Sequence, residues 1–587
     1  MADLVLLSLG GVQRFLRESR TTGDVAGASR IVQDLAWLAA RAVHDGLVGE
    51  PEPYGLIVPS LLSAGATSGG ATNKIAFLAP RGRGEQLAGD VAGLVRDTWQ
   101  SWVDQVFPGT GAATPGMPDV SWVRVTGPAA GGEYAQLWKR ARESLVARRR
   151  ARVFVPVLVK RASLCSQAPH LPASPVPVRA YRHERQSRER LSVAGWVKRL
   201  AARDGDMSFP STVAIASASF RARLIGPAAS PREDLAAAVA GLASCVDELD
   251  PPRERPLRLA DVPPGLEPLA TRLGTWVFVE RWEADGLRRA GVIASPRLVE
   301  RGRRAARSLL AAARGLAVRP PSPYFAVVVQ DLDRLGQALD GLSLDQHRAV
   351  SRALSELAGA QWQLASSGLP LPAEPIYAGG DDFLAFCPAA GALALARRVR
   401  QLVTEHLSGT PLVAADGGPV TATTAVVFAH MGSPLQEVLG IAHEALKTAK
   451  DAGVGENRNA LTVVVRRRGG ERARTIQPWG NGMNAADLLE TVQPVGLSPS
   501  LASRLELDRR SLSDLARDEL WTTLSAELAR LVARQGGTPR AAGALVELGR
   551  TERYRPPARD PFDRPANLAF DPVPAALTAR FLVQECQ

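Results

Sequence analysis

The chain contains little cysteine, little lysine and no long uncharged apolar run. Its four cysteines, Cys165, Cys245, Cys387 and Cys586, lie at least 80 residues apart. No CxxC or CxxH spacing occurs, which argues against a zinc ribbon and against a disulfide framework. No apolar stretch approaches the roughly 20 residues that a membrane-spanning helix needs. The opening MADLVLLSLGGVQRF has neither a basic leader nor a small-residue cleavage site, so it does not read as a signal peptide. These absences predict a soluble, cytoplasmic protein with no membrane partner.

What the chain has instead is arginine. Only six of its 71 cationic residues are lysine (Lys74, Lys139, Lys160, Lys198, Lys447, Lys450), and with 59 acidic residues the net charge is +12. Nucleotide bias in a genome produces such a composition. So does selection for a polyanionic partner, because a guanidinium grips phosphate bidentately and keeps its charge. An apolar content of 45% and a charged content of 22% exclude disorder and fibrous rods. At about 150 residues per domain, 587 residues suggest roughly four domains.

Residues 1–155 alternate strand-like and helix-like segments in the order β-α-β-β-α-β, the split βαβ or ferredoxin-like unit. Strands are expected at 3–9, 54–59, 74–79 and 120–125, and helices at 26–46, 86–107 and 132–150. Residues 156–321 break this rhythm with many prolines and dense arginine, as in VRAYRHERQSRERL, and end in the linker-like RPPSP. The same β-α-β-β-α-β order then returns from Tyr324, with a strand at 324–330, a hairpin of 376–378 and 383–386, and a strand at 420–428. A helix at 435–452 and a closing strand at 461–466 follow. The tail is mostly helical, clearest in LWTTLSAELARLVARQGG.

The chemistry concentrates in IYAGGDDFLAF, residues 376–386. Two apolar strands meet at Gly379-Gly380, residues that permit a tight hairpin and a close backbone approach. Asp381 and Asp382 follow at once. Adjacent carboxylates repel one another, and a cation within reach removes that repulsion. Gly-Gly-Asp also occurs in ordinary solvated turns, so a second acidic pair decides the reading. VVVQDLDRLG places Asp331 and Asp333 just past the strand 324–330. In a split βαβ unit the end of the first strand and the hairpin between the second and third share one sheet edge. Asp331, Asp333, Asp381 and Asp382, with the Leu332 carbonyl, therefore predict hard oxygen ligands for two Mg²⁺ or Mn²⁺ ions and a triphosphate. Lys447 and Lys450, at i and i+3 in HEALKTAKDAG, share a helix face from which an ammonium reaches phosphate.

At these residues the sequence resembles the large, polymerase/cyclase subunit of type III CRISPR effector complexes, in its Cmr-type (III-B) form. The similarity is carried by VVVQDLDRLG, by VTATTAVVFAHMGSPLQEVLGIAHEALKTAKDAG with RNALTVVV, and by LSLGGVQRFLRESRTTGDVAGASRIVQDLA near the N-terminus. RERLSVAGWVKRL and MSFPSTVAIASASFRA lie between, so matches run from about residue 3 to 470. The resemblance implies an α+β fold class: two ferredoxin-like (cyclase/palm) domains with an intervening helical region and a helical C-terminal domain. The expected boundaries are 1–155 for a non-catalytic cyclase-like domain, 156–321 for an Arg-rich helical domain with a degenerate zinc-ribbon region, 322–475 for the catalytic palm and 476–587 for the C-terminal helices.

The resemblance also implies conversion of ATP to cyclic oligoadenylates when target RNA is captured, within a complex of guide RNA and other subunits. Asp331, Asp381 and Asp382 would be catalytic metal ligands, with Asp333 secondary. Gly379, Gly380, Thr423, Lys447 and Lys450 would bind nucleotide. Thr423 stands where this group usually has Ser, Ala425 where it usually has Gly, and Leu332 where Gly is common. Many members begin with an HD phosphohydrolase domain that cuts single-stranded DNA. Here the cyclase-like motif starts within the first ten residues, so no HD nuclease is expected and His44-Asp45 reads as structural. Only Cys165 remains of the zinc ribbon, so no zinc is expected.

Arg182, Arg185 and Arg188 recur every three residues and are expected to present one basic row to guide RNA or acidic partner subunits. Two other readings compete: a catalytically silent scaffold subunit, and a dinucleotide cyclase of the GGDEF type sharing the hairpin.

Overall fold

Strand β1 (Ala2–Gly10) is buried along nearly its whole length, as its continuous apolar run demands. It is sandwiched between β3 (Lys74–Pro80) and β4 (Asp119–Gly127), antiparallel to both, with β2 (Gly55–Val58) outside β3. The resulting order β2-β3-β1-β4 is that of the ferredoxin-like unit. The computed structural model describes the chain apart from residues 61–71, 130–131, 152–162, 181–188, 202–208, 227–232, 260, 415–416, 452–457, 480–485, 487–498, 551–568 and 587. Four helices accompany the first sheet: α1 (Val12–Arg17), α2 (Thr22–Leu47), α3 (Arg83–Val106) and α4 (Gly132–Arg150). Helix α2 begins four residues before the apolar periodicity does, because Thr21 and Asp24 close a capping box there.

The middle of the chain is helical: α5 (Val193–Ala201), α6 (Thr212–Ala216), α7 (Ala218–Ile225), α8 (Glu233–Leu249), α9 (Glu267–Thr271), α10 (Ala284–Arg289) and α11 (Pro296–Gly315). The second sheet then opens with β5 (Tyr324–Leu332), followed by α12 (Leu335–Ala338), α13 (Leu344–Ser367), β6 (Glu374–Ala378), β7 (Asp382–Pro388), α14 (Ala392–Leu407), β8 (Ala422–His430), α15 (Leu435–Asp451), β9 (Ala460–Arg467) and β10 (Gly470–Pro478). Its order is β10-β9-β8-β5-β7-β6, so β6-β7-β5-β8 repeats the first sheet's arrangement. Helix α15 crosses from β8 to the parallel strand β9. Strand β10 escaped sequence reading because its first half, GERAR, is charged; Gly469 and Gly470 turn it back onto β9. The chain closes with α16 (Pro499–Arg517), α17 (Trp521–Arg534), α18 (Pro539–Gly549) and α19 (Val573–Glu585).

The pleat of β5 divides the interior. Phe325, Val327 and Val329 face a core shared with the first sheet's helices and the middle helices. Tyr324, Ala326 and Val328 face a second core, into which α16–α19 contribute Leu505, Leu528, Leu545 and Phe581. The first α/β unit docks on the second through polar contacts as well. His347 on α13 meets the Tyr134 hydroxyl at 2.9 Å, and Arg142 grips Asp340 at 2.6 and 3.0 Å. Among the described residues, no helix is long and apolar enough to cross a membrane.

Candidate functional site

The hairpin between β6 and β7 owes its shape to two glycines. Gly380 has φ +85°, and a Cβ there would lie 2.3 Å from the Leu354 carbonyl oxygen of α13. A Cβ on Gly379 would lie 2.7 Å from an Asp382 carboxylate oxygen. A side chain at Gly380 would strike backbone, whereas one at Gly379 would need the Asp382 carboxylate to move. The Gly379 N–H donates to the Asp382 carbonyl at 2.9 Å, and the Leu332 N–H donates to the Asp381 carbonyl at 2.8 Å. That second bond ties the end of β5 to the hairpin.

The acidic residues converge by register. Asp331 pairs with Asp382 across β5–β7 and with Thr423 across β5–β8. Cross-strand partners share a face, and alternation from Val329 puts Asp331 on the side turned toward the first α/β unit. Asp331 and Asp381 are partly exposed, with side chains 42% and 28% accessible.

Two lysines from different elements pair with these carboxylates. Helix α15 runs back along the sheet, so its last turn arrives at the end of β5. There Lys450 pairs with the Asp331 carboxylate and donates to the Leu332 carbonyl at 3.3 Å. Burial and the nearby Arg458 guanidinium pull the Lys450 pKa down to about 8. Lys74, the first residue of β3 in the other unit, stands 3.7 Å from Asp381. Asp382 is pushed up to about 8 by burial and by the charge of Asp381; Lys74 and a hydrogen bond from Tyr377 oppose this. The Tyr377 phenol accepts from Gln13 Nε2 of α1 at 3.3 Å, and burial raises its pKa well above the usual range, so it remains a donor. Each carboxylate of the Asp381-Asp382 pair is thus linked to the first unit.

Asp333 lies elsewhere. It is only 4% exposed, and its carboxylate accepts from Thr421 and Thr423 hydroxyls at 2.8 Å each and from the Asn459 N–H at 3.0 Å. Asp333 thus braces the turn after β5, and the fully buried Thr423 hydroxyl is engaged with it. Both side chains have hydrogen-bond partners inside the protein. Lys447 is exposed one turn before Lys450 and is not drawn into the carboxylate cluster. Arg182, Arg185 and Arg188 lie outside the described residues. The segment that follows them is anchored: Glu189 pairs with Arg199 at 2.6 Å, and Arg199 closes on buried Asp24 at 2.8 Å.

Among the described residues, no group of three or more His, Cys, Asp or Glu is arranged to hold a metal ion. The donor chemistry nevertheless fits a hard divalent cation in part. Asp331, Asp381, Asp382 and the Leu332 carbonyl offer oxygens at one sheet edge, and the crowding that raises Asp382 is what a cation would relieve. Sequence reading overlooked Gln13, Lys74 and Tyr377. The scarcity of lysine was a usable signal for Lys74; nothing local marks Gln13.

Residues 324–462 match the protein family described as Cas10/Cmr2, second palm domain. The whole chain is similar in fold to a chain of the type III-B Cmr-beta complex in its apo state, with TM-score 0.61 and 13% identity, covering 100% of this chain and 82% of that one. It is likewise similar to a chain of the type III-B Cmr-beta complex bound to cognate target RNA, with TM-score 0.60 and 14% identity, covering 99% and 83%. No curated protein matches it in sequence. The GGDD strands thus lie within the segment that matches the Cas10/Cmr2 second palm domain, and the whole chain is similar in fold to those Cmr-beta chains. The resemblance read from the motifs and the α+β fold class are both borne out.

Proposed function

We propose that this chain, with its Cas10/Cmr2 palm, is the large subunit of a type III CRISPR RNA-guided complex that converts ATP to cyclic oligoadenylates on binding target RNA. The observation that carries the reading is the convergence of Asp331, Asp381 and Asp382 with Lys450 and Lys74 between the two ferredoxin-like units. The fold shared with a Cmr-beta complex bound to cognate target RNA supports the assignment of RNA-guided partners. The adenine base follows from the family resemblance.

In the reaction, the 3′-oxygen of one adenosine forms a bond to the α-phosphorus of another ATP, and the bond from that phosphorus to pyrophosphate breaks. Repetition and a final intramolecular closure give the ring. Mg²⁺ or Mn²⁺, held by Asp331, Asp381, Asp382 and the Leu332 carbonyl, would supply Lewis-acid activation of the hydroxyl and charge neutralisation at the leaving group. The chain's own residues supply position. Gly379 and Gly380 let backbone come close to the nucleotide. Lys450, released from Asp331, serves the triphosphate as a point charge. Lys74 brings a cation from the first unit, so the site is complete only when both units are packed together.

Incubation with labelled ATP and Mn²⁺ or Mg²⁺, with and without the assembled RNA complex, tests the reading. Cyclic oligoadenylates formed in response to target RNA are expected. An inert palm would return the chain to the scaffold role, for which the resting Lys450–Asp331 pair is the favouring observation. Guanine dinucleotides as products would favour the GGDEF-type reading.

A further inference from the structure

A cavity of about 750 Å³ lies where the middle helices meet the start of β6, and its lining includes none of the palm carboxylates. This volume is in the range of small-molecule sites, which run from about 300 to 1,000 Å³. Pro251, Pro252, Pro256 and Trp276 give it apolar walls. Arg221 forms a rigid part of the lining: fully buried, it donates to the Leu269 and Ala214 carbonyls at 2.7 and 2.8 Å and to the Ser217 hydroxyl at 3.1 Å.

Arg281 is different. Its Nε is buried with no hydrogen-bond partner among the described residues. Burial and the neighbouring Arg289 guanidinium hold its pKa below the ordinary arginine range. Two like charges therefore line one cavity, together with the acids Asp247, Asp250, Glu254 and Glu374. Glu254 accepts from the Ser211 N–H at 3.2 Å and the Thr275 hydroxyl at 3.5 Å, while burial raises its pKa and favours its neutral form. Burial raises Glu374 in the same direction. Arg289 keeps one ion pair, with Asp285 at 2.8 Å, on its solvent side. A buried guanidinium nitrogen without an acceptor is costly, and an anion that supplies one relieves the cost.

We infer that this cavity binds a small phosphorylated organic molecule of nucleotide size. Its phosphate sits on Arg281 and Arg289, which present forked donors suited to phosphate oxygens. Its organic part lies against Trp276 and the prolines. Pro372 and Glu374 line the cavity from the palm side, and Glu374 opens the strand that leads into Gly379. An occupant therefore bridges the middle helices and the strand before the GGDD turn.

The test uses the full chain carrying Asp331→Asn, Asp381→Asn, Asp382→Asn, Lys74→Ala and Lys450→Ala, without divalent cation, so that both the metal ligands and the phosphate-binding lysines of the palm are removed. Titration calorimetry with ADP is expected to show saturable binding of about one molecule per chain, with inorganic phosphate competing. Hydrogen exchange should slow in residues 250–257 and 274–290 and stay unchanged in 376–384. Arg281→Ala and Arg289→Ala should each weaken ADP at least tenfold, and Arg281→Lys should retain part of the affinity. If Arg281→Ala fails to fold, the more exposed Arg289→Ala carries the test alone. No saturable ADP binding, protection confined to 376–384, or undiminished affinity in the folded arginine variants would overturn the inference. Because the palm lacks its metal ligands and phosphate-binding lysines throughout, these outcomes are independent of whether the chain makes oligoadenylates.

Discussion

Asp331, at the end of β5, stands in register with Asp382, at the start of β7, across an antiparallel strand pair. Side chains so placed share a face with Cβ atoms about 5 Å apart. The two residues are 51 positions apart in sequence, and the Leu332–Asp381 backbone bond fixes that neighbourhood regardless of side-chain motion.

Removing the adjacent carboxylates should abolish chemistry without touching the frame. Asp381→Asn with Asp382→Asn is expected to eliminate oligoadenylate formation, measured by labelled ATP turnover, while assembly with guide RNA and partner subunits persists on gel filtration. Turnover at the wild-type rate would remove both residues from the mechanism.

Lys450→Ala deletes a phosphate contact and also frees Asp331. The apparent KM for ATP should rise about tenfold, roughly 1.4 kcal/mol, with a smaller fall in kcat. Steady-state kinetics at saturating Mn²⁺ read the two separately. A change confined to nucleic-acid affinity would move Lys450 to an RNA surface.

Tyr377 touches Asp382 and is itself held by Gln13 of the other unit. Tyr377→Phe should raise the Mn²⁺ concentration needed for half-maximal rate several-fold, with kcat recovering at saturating metal; Gln13→Ala should do the same more weakly. Direct Mn²⁺ binding by electron paramagnetic resonance supplies a readout apart from turnover. Unchanged binding in Tyr377→Phe would reduce the contact to packing.

His347 makes the docking of the two units sensitive to acid. Burial pulls its pKa down to about 4, against the partial support of the Leu339 carbonyl and Asp340. The folded value lies below the unfolded one, so the unfolded chain takes up the proton first. The stabilisation is therefore complete above about pH 6.5 and is lost as pH falls toward 4. At 1.36 kcal/mol per unit the loss is roughly 3 kcal/mol. The melting temperature of the wild type should drop across that window more steeply than that of His347→Gln; parallel curves would contradict the assignment.

Changing Arg182, Arg185 and Arg188 together to Glu should lower affinity for the guide-RNA complex and flatten its salt dependence, because fewer phosphate contacts release fewer counterions. The pair of Arg199 with Asp24 anchors the following segment independently, so folding should survive. An unchanged salt slope would make these arginines a solvated face.

Much of this architecture was legible in the residues. Period-two alternation and unbroken apolar runs marked β1, β5 and β8, and Gly379-Gly380 marked the hairpin, because these signals are local and strong. Strand β10 was not legible: a charged, half-exposed edge strand lacks the alternation that identifies its neighbours. Asp333 illustrates the limit for sites. Its spacing from Asp331 suggested a shared ligand role, and only the fold adds that the chain turns at Arg334, where φ is +53°, and that Thr421, Thr423 and Asn459 donate to the carboxylate.

Residue order by itself determined that two β-α-β-β-α-β units flank a helical middle, and that Asp331 and the Gly379–Asp382 turn meet at one sheet edge. Those outcomes follow from periodicity and from the short list of conformations that glycine pairs and apolar strands adopt. Only the tertiary structure decided that Lys74 and Gln13 reach the palm from the other unit, that Lys450 rests on Asp331, and that Arg281 lines a cavity with its Nε unpartnered among the described residues. Each depends on how two separately patterned surfaces pack, and packing contacts between distant segments leave no period in the sequence that a local reading could detect.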